Sequence, residues 1–260
     1  MADPSPALSS QTSDRDLASM AEARALARRA KAAQALLAEF TQEQVDAIVG
    51  AMAAAAREHA DALARAAHEE TGFGKVEDKV RKNRFASDRV YESIRHERTV
   101  GIVARHPERK VLEIAEPFGV VAGIIPSTNP TSTAIYKILI SIKARCAIVL
   151  SPHPSAVRCI TRTAEIMESA GRAAGLPEGA ITWMQTVTLE GTQELMRHRT
   201  VAVILATGGM GLVRAAYSAT VQTAVEIVPA NTPVVFTGSA TRDNGTPAAL
   251  VPAAQCTPRA

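Results

Sequence analysis

The sequence predicts an α/β fold in which an open parallel sheet carries helices on both faces. The first observation is the apolar run GVVAGII, residues 119–125, which lies between Pro117 and Pro126. Its length and its Val and Ile content favour a strand buried on both faces. The second observation is that three more short apolar segments follow, separated by segments with helical periodicity. Strands and helices that alternate in this way are typical of a doubly wound, Rossmann-like sheet.

The N-terminal part is predicted to be helical. Residues 16–39 and 42–70 have apolar positions at helical spacing, and Thr41 with Gln44 resembles a capping box. Gly72 is expected to end the second helix, and residues 76–95 form a third, more charged one. An independent helical bundle is the alternative, but the strands that follow favour a helical layer wrapped around a sheet.

A β-hairpin is predicted next, with its turn at Pro107 between the extended segments 99–106 and 110–116. Beyond the strand at 119–125, the chain alternates between the two kinds of element. The predicted helices are 131–144, 156–174, 189–198 and 212–217, and the predicted strands are 146–150, 181–184 and 201–206.

Three regions follow from this pattern. Residues 1–14 are polar, rich in Pro and Ser, and predicted to be a disordered leader. Residues 15–218 form the folded domain. Residues 219–260 show no persistent period and contain five prolines, so a poorly packed coil is expected there.

The composition argues against several functional classes. Basic residues are scattered, the net charge is +3, and only three Tyr and one Trp are available for stacking on bases, which disfavours nucleic-acid binding. No apolar run approaches the roughly 20 residues of a membrane helix, and the start does not resemble a signal peptide. A cytoplasmic protein without membrane partners is therefore expected.

Neither a disulfide framework nor a metal site is expected. Cys146, Cys159 and Cys256 are odd in number and widely spaced. The six histidines are dispersed, and no His/Cys/Asp cluster has metal-ligand spacing. Cys146 and Cys159 fall in a strand and a helix and are expected to be inert core thiols, and Cys256 is interpreted as a tail cysteine.

Ligands of doubly wound sheets bind outside the carboxyl ends of the strands, which directs attention to the loops that begin at Pro126, Ser151 and Thr207. In the first loop, IIPSTNPTST, the following helix N-terminus suits a phosphate, and the Asn129 amide is suited to donate to an oxyanion. The alternative, which spacing alone favours, is that Asn129 and Thr131 simply cap the helix.

The second and third loops are weaker signals. In SPHP, His153 lies between two prolines and is placed to contact a ribose or base edge, although an ordinary turn residue is the more common case. In ATGGMG, residues 206–211, adjacent glycines allow close approach of a ligand, but they also serve a tight turn. This segment matches neither GxGxxG nor a P-loop.

Together and in this order, the loops resemble the CoA-acylating branch of the aldehyde dehydrogenase superfamily. The resemblance rests on EPFGVVAGIIPSTNPTSTAIYKILISIKARCAIVLSPHP (116–154) and VAVILATGGMGLVRAAYS (201–218), and it extends more loosely to the N-terminal helices. It implies that a cysteine thiolate attacks a small aldehyde, that hydride passes to NAD or NADP, and that CoA resolves the thioester. Family members are homo-oligomers.

The resemblance also implies roles for individual residues. Asn129 is implied as the catalytic amide that stabilises the oxyanion, and His153 lies near the adenosine ribose. The remaining cofactor-binding residues it implies are Ile125, Pro126, Ser127, Thr128, Thr207, Gly208, Gly209 and Gly211, of which the glycines face the pyrophosphate.

The match breaks after residue 218. The family's glycine-rich segment corresponds here to AVEIVPAN, residues 224–231, and Ala248 occupies the place of the nucleophilic cysteine. Alternating loss and recovery of identity suggests a frameshift or deletion in the coding sequence. The chain is therefore expected to carry only the cofactor-binding part, without the catalytic domain.

Several alternatives stay open at this point. Acetaldehyde, succinate semialdehyde and sulfoacetaldehyde are all compatible substrates, and the choice between NAD and NADP is undecided. A non-catalytic nucleotide-binding or interaction module that retains the fold is the second functional hypothesis.

Overall fold

The computed structural model describes residues 13–209, Ala216, Thr223–Ile227 and Pro233–Val234. Its first helix, α1, spans Asp14–Leu37. The predicted second helix is divided into α2 (Gln42–Glu58) and α3 (Ala60–Thr71), so the prediction of one continuous helix was wrong. The chain bends at His59, where φ is −93° and ψ is 7°. The apolar period runs through this bend, and no Gly or Pro marks it in the sequence.

The predicted helix signals around these elements are confirmed. Thr41 and Gln44 form the expected capping box at the start of α2. Gly72 ends α3 with a φ of +69°, a conformation that glycine adopts without steric cost. The third, charged helix consists of α4 (Val76–Arg84), a π-helical turn (Phe85–Val90) and the short α5 (Tyr91–Ile94).

The predicted hairpin is confirmed. Strands β1 (Gly101–His106) and β2 (Val111–Ala115) pair in antiparallel fashion across a 3-10 turn, Pro107–Arg109, and form a separate two-stranded sheet. The hairpin exposes large apolar side chains, namely those of Val111, Leu112 and Ile114.

The main sheet confirms the predicted fold class. Its strand order is β5-β4-β3-β6-β7-β8, and all neighbouring strands are parallel except β7 and β8. The order reverses between β3 and β6, because the chain first adds strands on one side of β3 and then returns to its other side. The strands are β3 (Val120–Ile125), β4 (Ala147–Pro152), β5 (Ile181–Trp183), β6 (Val201–Ala206), β7 (Thr223–Ile227) and β8 (Pro233–Val234).

The helices of the domain cover both faces of this sheet, as a doubly wound fold requires. Besides α1, α2 and α3, they are α6 (Pro130–Lys143), α7 (Val157–Ala173) and α8 (Leu189–Arg197). One apolar core joins α2, α3, α6 and α7 to one face of the sheet, and a second core joins α1 and α8 to the other. Every residue of β3 and β4 is buried, which explains the apolar run of β3 and the apolar first four residues of β4.

Two parts of the tail depart from the expected coil. Thr223–Ile227 extends the sheet as a parallel neighbour of β6, and Pro233–Val234 pairs with it in antiparallel fashion. The prediction failed here because it looked for a persistent period, which strands this short do not show. The rest of the predicted tail, the leader before residue 13 and, apart from the helical Ala216, the predicted helix 212–217 lie outside the described residues.

The contact between α1 and α8 depends on a glycine. A Cβ built on Gly191 would lie 1.9 Å from Ser19 Oγ and 2.8 Å from Ser19 Cβ. We therefore expect Gly191→Ala to lower the free energy of unfolding by about 1–3 kcal/mol, because the two helices must move apart. Urea denaturation measures the change. Arg197→Ala, at an exposed position of the same helix, is the control and should change stability by less than about 0.5 kcal/mol. Equal stability of the two variants would contradict this packing.

None of the described helices is long and apolar enough to cross a membrane. Within the same part of the chain, no group of three or more His, Cys, Asp or Glu side chains is arranged to hold a metal ion. The predicted cytoplasmic location stays a prediction.

Candidate functional site

A cleft of about 590 Å³ opens at the carboxyl ends of β3, β4 and β6, next to the point where the strand order reverses. This position is where doubly wound sheets bind ligands, and the volume lies within the range of small-molecule sites. Its lining residues are Ile124, Ile125, Pro126, Ser127, Thr128, Asn129, Ser151, Pro152, His153, Pro154, Val187, Thr188, Leu189, Thr192, Thr207, Gly208 and Gly209.

Backbone hydrogen bonds hold the three predicted loops together at the floor of the cleft. The last two carbonyls of β3 are the common acceptors. The His153 N–H donates to the Ile125 oxygen at 2.9 Å, and the Thr207 N–H donates to the Ile124 oxygen at 3.3 Å. The strand ends therefore meet in one groove, as expected from their parallel order.

A buried lysine supports this floor from the helix behind it. The Lys137 side chain in α6 is fully buried, and its Nζ donates to the carbonyl oxygens of Ile124 (2.7 Å) and Leu205 (2.6 Å). Burial lowers the pKa of Lys137 well below its ordinary value. Lys137 thus joins the ends of β3 and β6 at the point where the strand order reverses.

The preceding residue, Tyr136, fixes the start of the third loop. Its hydroxyl lies 3.2 Å from Thr207 Oγ1. Burial raises the pKa of Tyr136 to about 12, so the phenol is neutral at physiological pH. Its role here is to hold Thr207 at the rim of the cleft.

The lining carries no Asp, Glu, Lys or Arg side chain among the residues that the structure describes. Its polar groups are hydroxyls, the Asn129 amide, the His153 ring and backbone amides. Two helices, α6 and α8, begin at the cleft, and their N-termini contribute partial positive charge. The site therefore suits an uncharged or anionic ligand with a substantial apolar surface.

Asn129 occupies the N-cap position of α6, but its side chain does not cap the helix. Its Oδ1 instead accepts a hydrogen bond of 2.8 Å from Lys82 Nζ in α4. Thr131 does not cap the helix either, because its hydroxyl donates to Asn83 Oδ1 at 2.7 Å. The capping interpretation of these two residues was therefore wrong, because α4 supplies their partners.

One face of α4, which consists of Lys79, Lys82 and Asn83, holds the first loop. Lys79 Nζ donates to the Thr128 oxygen at 3.1 Å, and burial, followed by the charge of Lys82, lowers the pKa of Lys79. Asn83 is fully buried and also donates to the Ala60 oxygen at 2.9 Å.

His153 forms the turn expected for it, and its ring also lines the cleft, while its contact with a ribose stays a prediction. Its Nδ1 accepts from the Ser155 N–H (3.2 Å) and lies 2.7 Å from Ser155 Oγ, which stabilises the short turn that precedes α7. Because Nδ1 accepts the backbone N–H, the proton of the neutral ring lies on Nε2. The ring is exposed, lines the cleft and therefore presents a donor at its rim.

Gly209 in the third loop lines the cleft and has open space beside it. A Cβ built on Gly209 meets no atom within 4 Å, so no described contact requires glycine at this position. A longer side chain there would instead extend into open volume. Gly211, the last predicted residue of this loop, lies outside the described residues.

Comparison with known proteins places this arrangement in a family. The model of the aldehyde dehydrogenase family matches residues 1–243. The chain belongs to that family. The chain is 46% identical over 217 residues to the bifunctional aldehyde-alcohol dehydrogenase AdhE of Escherichia coli K12, and the match covers 84% of this chain and 24% of the relative.

Other relatives point to the acylating members of the aldehyde dehydrogenase family. The acetylating succinate-semialdehyde dehydrogenase of Clostridium kluyveri is 38% identical, with 81% of this chain and 46% of the relative covered. The crystal structure of an acetylating aldehyde dehydrogenase from Geobacillus thermoglucosidasius is 55% identical, with a TM-score of 0.81 over 84% of this chain and 48% of that one. The chain thus spans about half or less of the length of these acylating aldehyde dehydrogenases.

Sequence reasoning missed two parts of the site. The first is the wall formed by Val187, Thr188, Leu189 and Thr192, where the chain passes from β5 into α8. The rule that directs attention to strand ends also applies to β5, so this loop was open to prediction. The second is the polar face of α4, whose signal is the spacing of Lys79, Lys82 and Asn83 over a single helical turn.

Proposed function

We propose that the cleft binds a nicotinamide dinucleotide, NAD or NADP, and that the whole protein uses it to oxidise a short aldehyde to an acyl-CoA. The observation that carries the proposal is the convergence of three strand-end loops on the last two carbonyls of β3, around a cleft of about 590 Å³. Two helix N-termini at the same cleft favour the pyrophosphate.

The proposed contacts combine the position of each group in the cleft with the role that the family resemblance implies for it. Ile125, Pro126, Ser127 and Thr128 lie along one side of the dinucleotide, and His153 faces the adenosine ribose with its Nε2–H. Thr207, Gly208 and Gly209 lie in the loop at the pyrophosphate. Asn129 supplies the amide that stabilises an oxyanion on the aldehyde carbon.

Bound dinucleotide would supply the hydride acceptor, and CoA would act as the second substrate. The residues of this chain bind and orient the dinucleotide and hold the Asn129 amide beside it. The apolar lining of Ile124, Ile125 and Val187 would favour the exclusion of water once the dinucleotide is bound. The identity of the aldehyde and the choice between NAD and NADP stay open.

Isothermal titration calorimetry of the purified chain with NAD+ and NADP+ tests the proposal. We expect weak, saturable binding of at least one of them at about millimolar concentration, equivalent to roughly 4 kcal/mol. Gly209→Leu should weaken that binding about tenfold or more, because its side chain fills the cleft, and it should leave the melting temperature unchanged. Arg197→Leu, outside the cleft, is the control. A flat titration with both dinucleotides, or equal binding by the Gly209→Leu variant, would contradict the proposed site.

A second candidate function is a non-catalytic interaction module that retains the nucleotide-binding fold. The apolar side chains of Val111, Leu112 and Ile114 on the hairpin favour it, because exposed apolar groups on a two-stranded sheet are suited to pair with another chain. A soluble chain with one sharp thermal transition and a defined oligomeric state would support this function. Aggregation on expression would instead support the interpretation of the chain as a part of a larger enzyme.

A further inference from the structure

Lys82 lies on α4, outside the residues that line the cleft, and contacts one of them. Its Nζ lies 2.8 Å from Asn129 Oδ1. No carboxylate pairs with Lys82 among the ion pairs of the described residues, and Asn129 Nδ2 has no hydrogen-bond partner in that part of the chain. The Lys82 ammonium and the Asn129 amide oxygen are therefore each other's hydrogen-bond partners, without a competing group among the described residues.

The chemistry of the two groups allows only one orientation of the amide. A lysine ammonium has three donors and no acceptor, whereas the asparagine amide has an acceptor oxygen and a donor nitrogen. Only the oxygen can face Lys82 favourably. The Nδ2 group then points away from Lys82, on the other side of the planar amide, and is left free to donate to a ligand.

The rest of α4 keeps Lys82 in this place. Lys79, one turn earlier, is buried and bonds to the Thr128 oxygen, and the buried Asn83 bonds to Thr131. These contacts are on the residues directly before Asn129 and shortly after it. These contacts hold α4 against the loop, and they therefore keep the backbone of Lys82 within reach of Asn129.

We propose that Lys82 is a positioning residue, which turns the Asn129 amide so that its Nδ2–H donors face the reacting carbonyl. The proposal rests on the proposed function in so far as that carbonyl is concerned, whereas the orientation of the amide is a property of the chain without ligand. Lys82 acts through Asn129, because it is not among the described residues that line the cleft.

Nuclear magnetic resonance of the chain, with 15N in the asparagine side chains, measures this orientation. The Asn129 signal is assigned from its loss in Asn129→Ala. In the unsubstituted chain we expect one side-chain amide conformation with an order parameter near the rigid value of about 0.85. The orientation with Oδ1 toward Lys82 should be populated about fivefold or more over the orientation with Nδ2 toward Lys82.

Three substitutions separate the donor chemistry from the space that the side chain fills. Lys82→Arg keeps a cation that only donates, and it should preserve the Asn129 signal. Lys82→Gln has both a donor and an acceptor, and Lys82→Met has neither, so in both variants the order parameter should fall to below about 0.6 as the amide samples two orientations. Arg81→Gln, at an exposed position beside Lys82, is the matched control and should have no effect.

An unchanged Asn129 signal in Lys82→Gln and Lys82→Met would overturn the proposal, as would loss of the signal in Lys82→Arg. Lys82 is exposed, so all three variants are expected to fold, and their backbone amide spectra verify this. Titrating NAD+ and NADP+ into the same samples keeps the two proposals apart. Failure of the unsubstituted chain to bind either dinucleotide contradicts the proposed function and leaves the amide orientation as measured.

Discussion

Replacement of Lys137 by alanine is expected to lower the free energy of unfolding by about 2–5 kcal/mol. The side chain is fully buried, so its removal leaves a cavity, and such truncations have costs of this order. The carbonyl oxygens of Ile124 and Leu205 also lose the donor that lies 2.7 and 2.6 Å away. The alanine variant no longer buries an amine, and the free-energy cost that this burial has in the unsubstituted chain is then absent, which offsets part of the loss.

Lys137→Met separates the two contributions, because methionine retains most of the apolar volume and removes only the donor. We expect a loss of about 1–3 kcal/mol for this variant. Chemical denaturation followed by circular dichroism measures both variants, and Lys75→Ala, at an exposed position, is the control. If Lys137→Ala were as stable as Lys75→Ala, Lys137 would not support the floor of the cleft.

The second large effect concerns turnover. The 260-residue chain is expected to form no NADH from an aldehyde with NAD+ and CoA. The rate should lie at least about 10⁴-fold below the roughly 10 s⁻¹ that is common for enzymes. Thioester formation requires a reactive thiolate, and Ala248 occupies the position where the resemblance places the nucleophile.

The two cysteines of the described part do not replace that nucleophile. Cys146 and Cys159 are both buried. Burial raises the pKa of both thiols, that of Cys159 to about 12, with the Glu70 carboxylate adding to the effect at Cys159. Absorbance at 340 nm with acetaldehyde, succinate semialdehyde and sulfoacetaldehyde measures the rate. NADH formation that depends on CoA and disappears in Cys256→Ser would contradict this prediction and identify Cys256 as the nucleophile.

The sheet was predictable because the apolar composition of its strands identifies them in the sequence. The uninterrupted apolar run of β3 requires burial on both faces, and the parallel order then places the loops after Ile125, Pro152 and Ala206 at one edge. Local patterns of this kind also gave the capping box at Thr41 and the end of α3 at Gly72.

The partners of the site residues were not predictable, because they come from distant parts of the chain. The contact between Lys82 and Asn129 joins positions 47 residues apart, and that between Lys137 and the Leu205 oxygen joins positions 68 apart. Spacing within one segment carries no information about such pairs. This is why Asn129 was interpreted as a helix cap, and why the lysines of α4 were noted only as charge.

Main-chain hydrogen bonds join the three loops at the floor of the cleft, since β3 carbonyls accept the amides of both neighbouring loops. Any amino acid except proline supplies the same amide. Side chains around the rim can therefore diversify during evolution or in the laboratory without altering the width of the groove. An insertion within β3 would instead displace both neighbouring loops together, so this strand tolerates insertions poorly.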